Sequence, residues 1–585
     1  MKQLRPIQLL LALMITAGAA AQQNSLINHV PEKSSTIIAV NLFRMGSKIP
    51  KDSLMNSPFM KMINKNDKES PVEIINKLST GGVALANDIL IAMVMDSASG
   101  LRNSGVHVLG KISDEDLFSK MAQEMFKDDS FHVYGTDHII FMKSGTLCWN
   151  KDLFIMTSSP GAKQALQNSF FDENDTTADG KPVKTGQQLI DDLRNAQRDL
   201  CFKLLQPNSN NPFASDPRFR EAMNTPGDMK IWSTGAGNPL MQQFAPLSGL
   251  SSIAGQNKKV RSSITNFENG SIVTESRAYM DPLLGDIYKN YTPQPVNTDL
   301  LKKIPGGRPM LIMSMGYNKM AAKNFKQPEQ LKVIMDSLKK LIPFDWNTIS
   351  DVFGSSMMMA VMVDETPAAT DEKNPFGGMH FYLAMPITDK GNYDKLAAAV
   401  NKTIDSLRSS EDAGKVMKNF KPVVRATNDL FVMGFREDDV NNFINNPGTG
   451  AVPEWIQAHA DHPMAMQFDF RQILELVLSS SKKGPGGSVN QVLSTFKDIV
   501  AAGGEPDNGA IKMRMEYRFT NAEQNSLLQL FNLVSVMAAD RPSNTTAEDS
   551  PVLKEEDVVT TPPPPPPPAK KKTKTPVKGK TKTKQ

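Results

Sequence analysis

Hydrophobic residues along this chain switch repeatedly between two periods: short runs apolar at nearly every position, then stretches apolar every third or fourth residue. The runs Ile37 to Leu42, Ile89 to Met95 and Val106 to Leu109 predict strands. So do Met310 to Met315, Met357 to Val363 and Met379 to Met385 further on. Runs as continuous as ILIAMVM and MMMAVMV predict strands covered on both faces. Between them, Tyr393, Leu396, Val400, Ile404 and Leu407 fall on one helix face, with Thr388 or Asp389 placed to cap it. Leu117, Met121 and Met125 predict a similar stripe earlier, with Ser113 and Asp116 spaced as a capping box. The turns Asn150-Lys151-Asp152 and Thr427-Asn428-Asp429 each separate two short apolar runs, the mark of a β-hairpin. Strand, helix, strand, strand, helix, hairpin, helix is an α+β order with mostly antiparallel sheets flanked by helices.

The same pattern is written twice. Val30-Pro31 and Ile304-Pro305 open matching segments about 274 residues apart. The strand ending at Asp96 matches the one ending at Asp364, at an offset of 268. The block around Ser113 matches that around Thr388 at 275, and Asn150 to Met156 matches Thr427 to Met433 at 277. Asn269 onward then matches Asn508 onward at 239, so the first copy carries 38 more residues, at about 160–265. Five blocks in one order predict two tandem homologous copies, residues 22–296 and 297–541, with a linker near Tyr291 to Val296.

The ends differ from the body. Lys2 and Arg5 precede a short apolar run from Ile7 to Ala17 and the small residues Ala19 to Ala21, which predicts a signal peptide over 1–21 cleaved between Ala21 and Gln22. That run is shorter than the roughly 20 residues that span a bilayer. Residues 542–585 hold seven consecutive prolines, Pro562 to Pro568, then eight lysines and no acid, and predict a disordered tail with a stiff spacer. The formal net charge of +4 therefore hides a body near −6, which argues against a nucleic-acid partner. A basic tail beyond a spacer suits contact with an anionic envelope surface.

Candidate chemistry thins out on inspection. Cys148 and Cys201 permit one disulfide in an oxidising compartment, and equally suit two buried thiols acting as small hydrophobes. His459 and His462 beside Asp461 lack the spacing of a metal site. Ser479 with Lys482, and Lys184-Thr185-Gly186, occur in the reverse of the order that a penicillin-recognising hydrolase needs. The glycines at Gly484 to Gly487 follow no strand, and no nucleotide or cofactor motif is present. The many methionines, among them Met357, Met358, Met359 and Met362, sit in apolar strands as core filling. Asp96, Asp364, Asp152 and Asp429 recur at equivalent strand ends and turns, where Asp is a favoured residue.

The opening Val-Pro segment, the strand ALANDILIAMVMD and the helix start ISDEDLFSKM resemble the exported bacterial family catalogued as domain of unknown function 4836, over about residues 25–540. The resemblance implies an envelope protein of Gram-negative type, periplasmic or surface-associated, with no assigned activity, no cofactor and no catalytic residues to carry over. The expected function is a non-catalytic cell-envelope binding or scaffolding protein. The alternative is an envelope hydrolase with an unrecognised active site. An apolar groove or patch would favour the first, convergent polar groups with perturbed pKa the second.

Overall fold

A computed structural model describes residues 26–50, 80–94, 105–127, 129–142, 145–158, 186–234, 260–280, 290–320, 351–364, 378–398, 423–469 and 487–539, with a few isolated positions between them. The segment ending at Ala21-Gln22, Asp96, much of the expected insertion, Ser479 with Lys482, and the tail 542–585 lie outside the described residues.

Among the described residues eighteen strands form one antiparallel ladder. In the first half they are β1 (Ser34–Val40), β2 (Ile89–Val94), β3 (Gly105–Lys111), β4 (Ser130–Tyr134), β5 (Asp137–Met142), β6 (Gly145–Trp149), β7 (Leu153–Ser158), β8 (Met229–Ser233), β9 (Arg261–Glu268) and β10 (Ser271–Tyr279). In the second they are β11 (Arg308–Gly316), β12 (Ser356–Val363), β13 (Met379–Pro386), β14 (Val423–Ala426), β15 (Leu430–Gly434), β16 (Met464–Phe468), β17 (Phe496–Asp507) and β18 (Ala510–Phe519). Pairings run β4-β5-β6-β7-β3-β2-β1-β8-β9-β10 and cross by β10–β18 into the second half. From there they continue β18-β17-β16-β11-β12-β13-β15-β14. At the crossing Glu275 pairs with Arg514, and their side chains meet at 3.5 Å.

The predicted strands are all present, but their burial departs from expectation. β12 alternates along its length: Met358, Ala360 and Met362 are buried, while Met357, Met359 and Val361 are only half-buried. β2 does the same with Leu90 and Ala92 buried. Pleating sends successive side chains to opposite faces, so one face can be fully covered even when the sequence is apolar throughout. In the first half that face packs under helix α3 (Gly186–Leu205) and the short helices α4 (Pro212–Ser215) and α5 (Pro217–Asn224) through Leu204, Leu205, Phe213 and Phe219. In the second half it packs under α6 (Thr298–Lys302), α7 (Glu437–Asn445) and α8 (Glu454–Ala458) through Leu300, Leu301, Val440, Phe443 and Ile456.

Helix α2 (Glu115–Met125) buries Phe118, Met121 and Ala122; of the expected stripe only Met121 is buried, and Leu117 and Met125 are exposed. A stripe one residue along carries the larger Phe118, which packs edge-on against Trp149 and stacks on Phe154. The cap also shifts by one: Asp114 accepts from the Leu117 N–H at 3.0 Å, while the Ser113 hydroxyl donates to Gly82 O. In the second half, residues 390–398 are helical and Asp389 accepts from the Asn392 N–H at 2.9 Å, so Asp389 is the cap. Val296, in the expected linker, is buried and donates its N–H to His462 O at 3.0 Å. That segment is thus anchored to the second half's core.

Candidate functional site

The hairpin β4–β5 ends the ladder. Gly135 takes φ +64 in the two-residue turn between Tyr134 and Asp137, a conformation that favours glycine. β5 is apolar on both faces and buries Ile139, Ile140 and Phe141. β4 is exposed at all five positions, with Val133 53% and Tyr134 42% accessible. Its side chains alternate between two aromatic groups. Phe131 stacks with His138 and Trp149 at 5.9 Å each, and the Trp149 indole donates to Ser119 Oγ on α2. On the opposite face His132 meets Phe141 edge-on at 5.7 Å, and Tyr134 meets Phe202 of α3 at 5.4 Å. The hairpin is therefore held rigidly on both sides while its outer strand keeps one backbone edge without a described partner. Strand edges are usually blunted by lysine, proline or a bulge, and SFHVY has none of these.

The ladder's other end, β14, is four residues long and carries Arg425, which is paired with Glu437 of α7. The two edges thus differ in chemistry: one aromatic and uncharged, the other short and ion-paired.

Several titratable groups elsewhere are occupied by neighbours. His380 on β13 lies between two carboxylates, with Nδ1 at 2.7 Å from Asp439 and Nε2 at 2.8 Å from Asp364. Burial pulls its pKa down, but these two partners outweigh it and hold the imidazole above its usual value. When the ring is protonated both nitrogens donate to these carboxylates, and no lone pair is left for general-base work. His459 stacks on Trp455 and bonds its carbonyl, and His462 bonds Glu505. Among the described residues no three His, Cys, Asp or Glu side chains are grouped as a metal would require. Asp429 accepts from the Thr427 hydroxyl inside its own turn, so it serves the hairpin. Cys148 and Cys201 are both thiols and both fully buried.

Two cavities open near α5. One, of about 360 Å³, is lined by Glu32, Lys33, Phe213, Asp216 and Trp232. The other, of about 220 Å³, holds Arg218 and Arg277, which are already paired with Asp216, Glu221 and Asp507. The cations a ligand would need in the second are thus largely neutralised.

No family model matches this chain. No curated protein matches it either. Among solved structures it is similar to crystal form IV of TP0453, at 8% identity over 46% of this chain and 85% of that one, with a TM-score of 0.26. Crystal form I of the same protein is 6% identical, with 46% and 86% covered and a TM-score of 0.26. A likeness that low carries no argument about fold or role.

Neither sequence pattern nor motif pointed to β4–β5. The signal was there in the alternation of Phe131 and Val133 before Gly135, followed by Ile139 and Phe141. It reads as one more hairpin. Only the ladder reveals that this hairpin has an outer edge.

Proposed function

We propose that the chain is an exported, non-catalytic cell-envelope protein that binds an extended peptide segment of a partner by strand addition at β4. The observation that carries this is the exposed aromatic edge: Phe131, Val133 and Tyr134 stand open on a strand whose hairpin is braced from both faces. A strand added there gains main-chain hydrogen bonds for affinity and aromatic contacts for specificity. The charged groups described above are largely paired with one another, which suits a scaffold better than a hydrolase.

The reading includes two tandem homologous copies. Strand order supports it: β6-β7-β3-β2-β1-β8-β9-β10 and β14-β15-β13-β12-β11-β16-β17-β18 correspond one to one. Register supports it too. Ile91 pairs with Val108 and Val108 with Met156, while Met359 pairs with Leu383 and Leu383 with Met433. Those partners differ by 268, 275 and 277 residues, the offsets of the sequence blocks. The 239-residue offset carries Glu275 onto Arg514, its own partner, so a local twofold axis runs through that pair. Export by the leader and attraction of the lysine-rich tail to anionic envelope polymers complete the proposal.

The test is retention of envelope proteins on immobilised full-length chain. Val133→Lys charges the edge and is expected to abolish retention while changing stability by less than about 0.5 kcal/mol, since it is an exposed site. Val424→Lys at the opposite edge is expected to leave retention intact. Unchanged retention by the Val133 variant would sink the reading.

A further inference from the structure

We infer that Cys148 and Cys201 form a built disulfide site that fastens helix α3 to the sheet when the chain folds under oxidising conditions. The site does not depend on the function proposed above. Cys148 lies on β6 and Cys201 near the end of α3, and both belong to one buried core cluster with Ile139, Leu153, Ile155 and Leu204. The two thiols are near enough to interact with each other, and Cys148 Sγ donates to Ile155 O at 3.6 Å.

The approach of the two elements is set by a neighbouring contact in the same direction. Thr146, two residues before Cys148 and so on the same face of the strand, donates to Gln197 Oε1 at 2.9 Å. Gln197 is four residues before Cys201 and so on the same face of the helix. Two adjacent rungs therefore join β6 to α3, one a hydrogen bond and the other a pair of thiols. Phe202 holds the same turn of α3 against Tyr134. The bond would enclose the 52 residues between the cysteines, a long loop whose closure restricts the unfolded chain.

The chemistry is thiol–disulfide exchange with a disulfide oxidant, RSSR. One cysteine thiolate attacks RSSR, expels RS⁻ and is left as a mixed disulfide. The second thiol loses its proton and displaces the remaining RS⁻. Two protein thiols and one RSSR thus become one protein disulfide and two RSH. Burial, and then the neighbouring thiol, push the Cys148 thiol up in pKa, so the folded dithiol is a poor nucleophile and exchange belongs to the folding chain. Once formed, the bond is shielded by the same core.

The experiment refolds reduced full-length protein in oxidised glutathione, then alkylates it under denaturing conditions and maps peptides by mass. The expected result is no alkylatable cysteine, a linked Cys148–Cys201 peptide, and a thermal midpoint that falls by several degrees when the protein is reduced. Cys148→Ala and Cys201→Ala should each leave one thiol, or one glutathione adduct, and midpoints insensitive to reductant. Two alkylated thiols, or glutathione on both cysteines, in the wild-type protein would overturn the inference. That measurement needs no variant, so it stands even if either alanine form fails to fold.

Discussion

At corresponding places in the strand order the two halves of the sheet bury different chemistry. In the first, Lys230 lies opposite Ala39 of β1 and is almost wholly buried; its ammonium reaches Asp88 at 2.8 Å and Met223 O at 2.6 Å. In the second, Ala465 lies opposite Ser314 of β11, and Ser356, at the matching strand start, bonds only Asn297 among the contacts described. The charged version costs desolvation that its two partners offset. It also ties distant pieces together: Asp88 accepts from Asn41, which caps α1 (Leu42–Ser47) by accepting from the Arg44 N–H, and Met223 belongs to α5. One ladder therefore tolerates either an ionic latch or small neutral residues. The difference lies in what each half must hold against its sheet.

That comparison can be broken most sharply at the latch. Lys230→Ala takes the buried ammonium away from the Asp88 carboxylate and is expected to cost about 3–5 kcal/mol in chemical denaturation. Asp88→Ser combined with Lys230→Ala copies the second half and should recover most of that loss. A double variant as unstable as the single one would mean that the two positions are not interchangeable.

The next largest effect separates two histidines. His107 of β3 is buried, its Nδ1 has no hydrogen-bond partner, and burial lowers its pKa to about 4. Between the ordinary value near 6.5 and about 4, the unfolded chain binds a proton that the folded chain refuses. Stability should be full above pH 6.5 and should fall by about 3 kcal/mol as pH drops to about 4. His107→Leu should remove that acid dependence, as seen in denaturation midpoints across the range. A slope unchanged in the variant would assign the dependence to carboxylates instead.

His380 has the reverse sign and a smaller size. Its pKa is raised in the fold by Asp364 and Asp439 against an opposing burial effect. Its contribution is therefore full below the unfolded value and is lost as pH climbs through the folded one. Asp364 is partly open to solvent, which screens the pair. Melting temperature should decline from about pH 6.5 upward in the wild type and stay flatter in His380→Ala. Matching declines in both would show that the cluster adds nothing measurable.

Hydrophobic periodicity alone determined the six predicted strands, the two capped helices as elements and the turns at Asn150 and Thr427, because these depend on local spacing and local hydrogen bonds. In those turns Asn150 Oδ1 and Thr427 Oγ1 each accept from the N–H groups two and three residues on, a contact within reach of their own side chains. Which helix face is buried was not local. Phe118 displaced Leu117 from the interface because Trp149 and Phe154, from a hairpin further along the chain, set where α2 docks. Nor could the apolar runs of β2 and β12 say which of their faces would be covered, since pleating and the placement of helices decide that. The edge at β4, the join of β10 to β18 and the meeting of Cys148 with Cys201 are pairings between distant segments. Backbone hydrogen bonds are alike in every strand, so sequence can mark a strand but only the assembled sheet decides its neighbour.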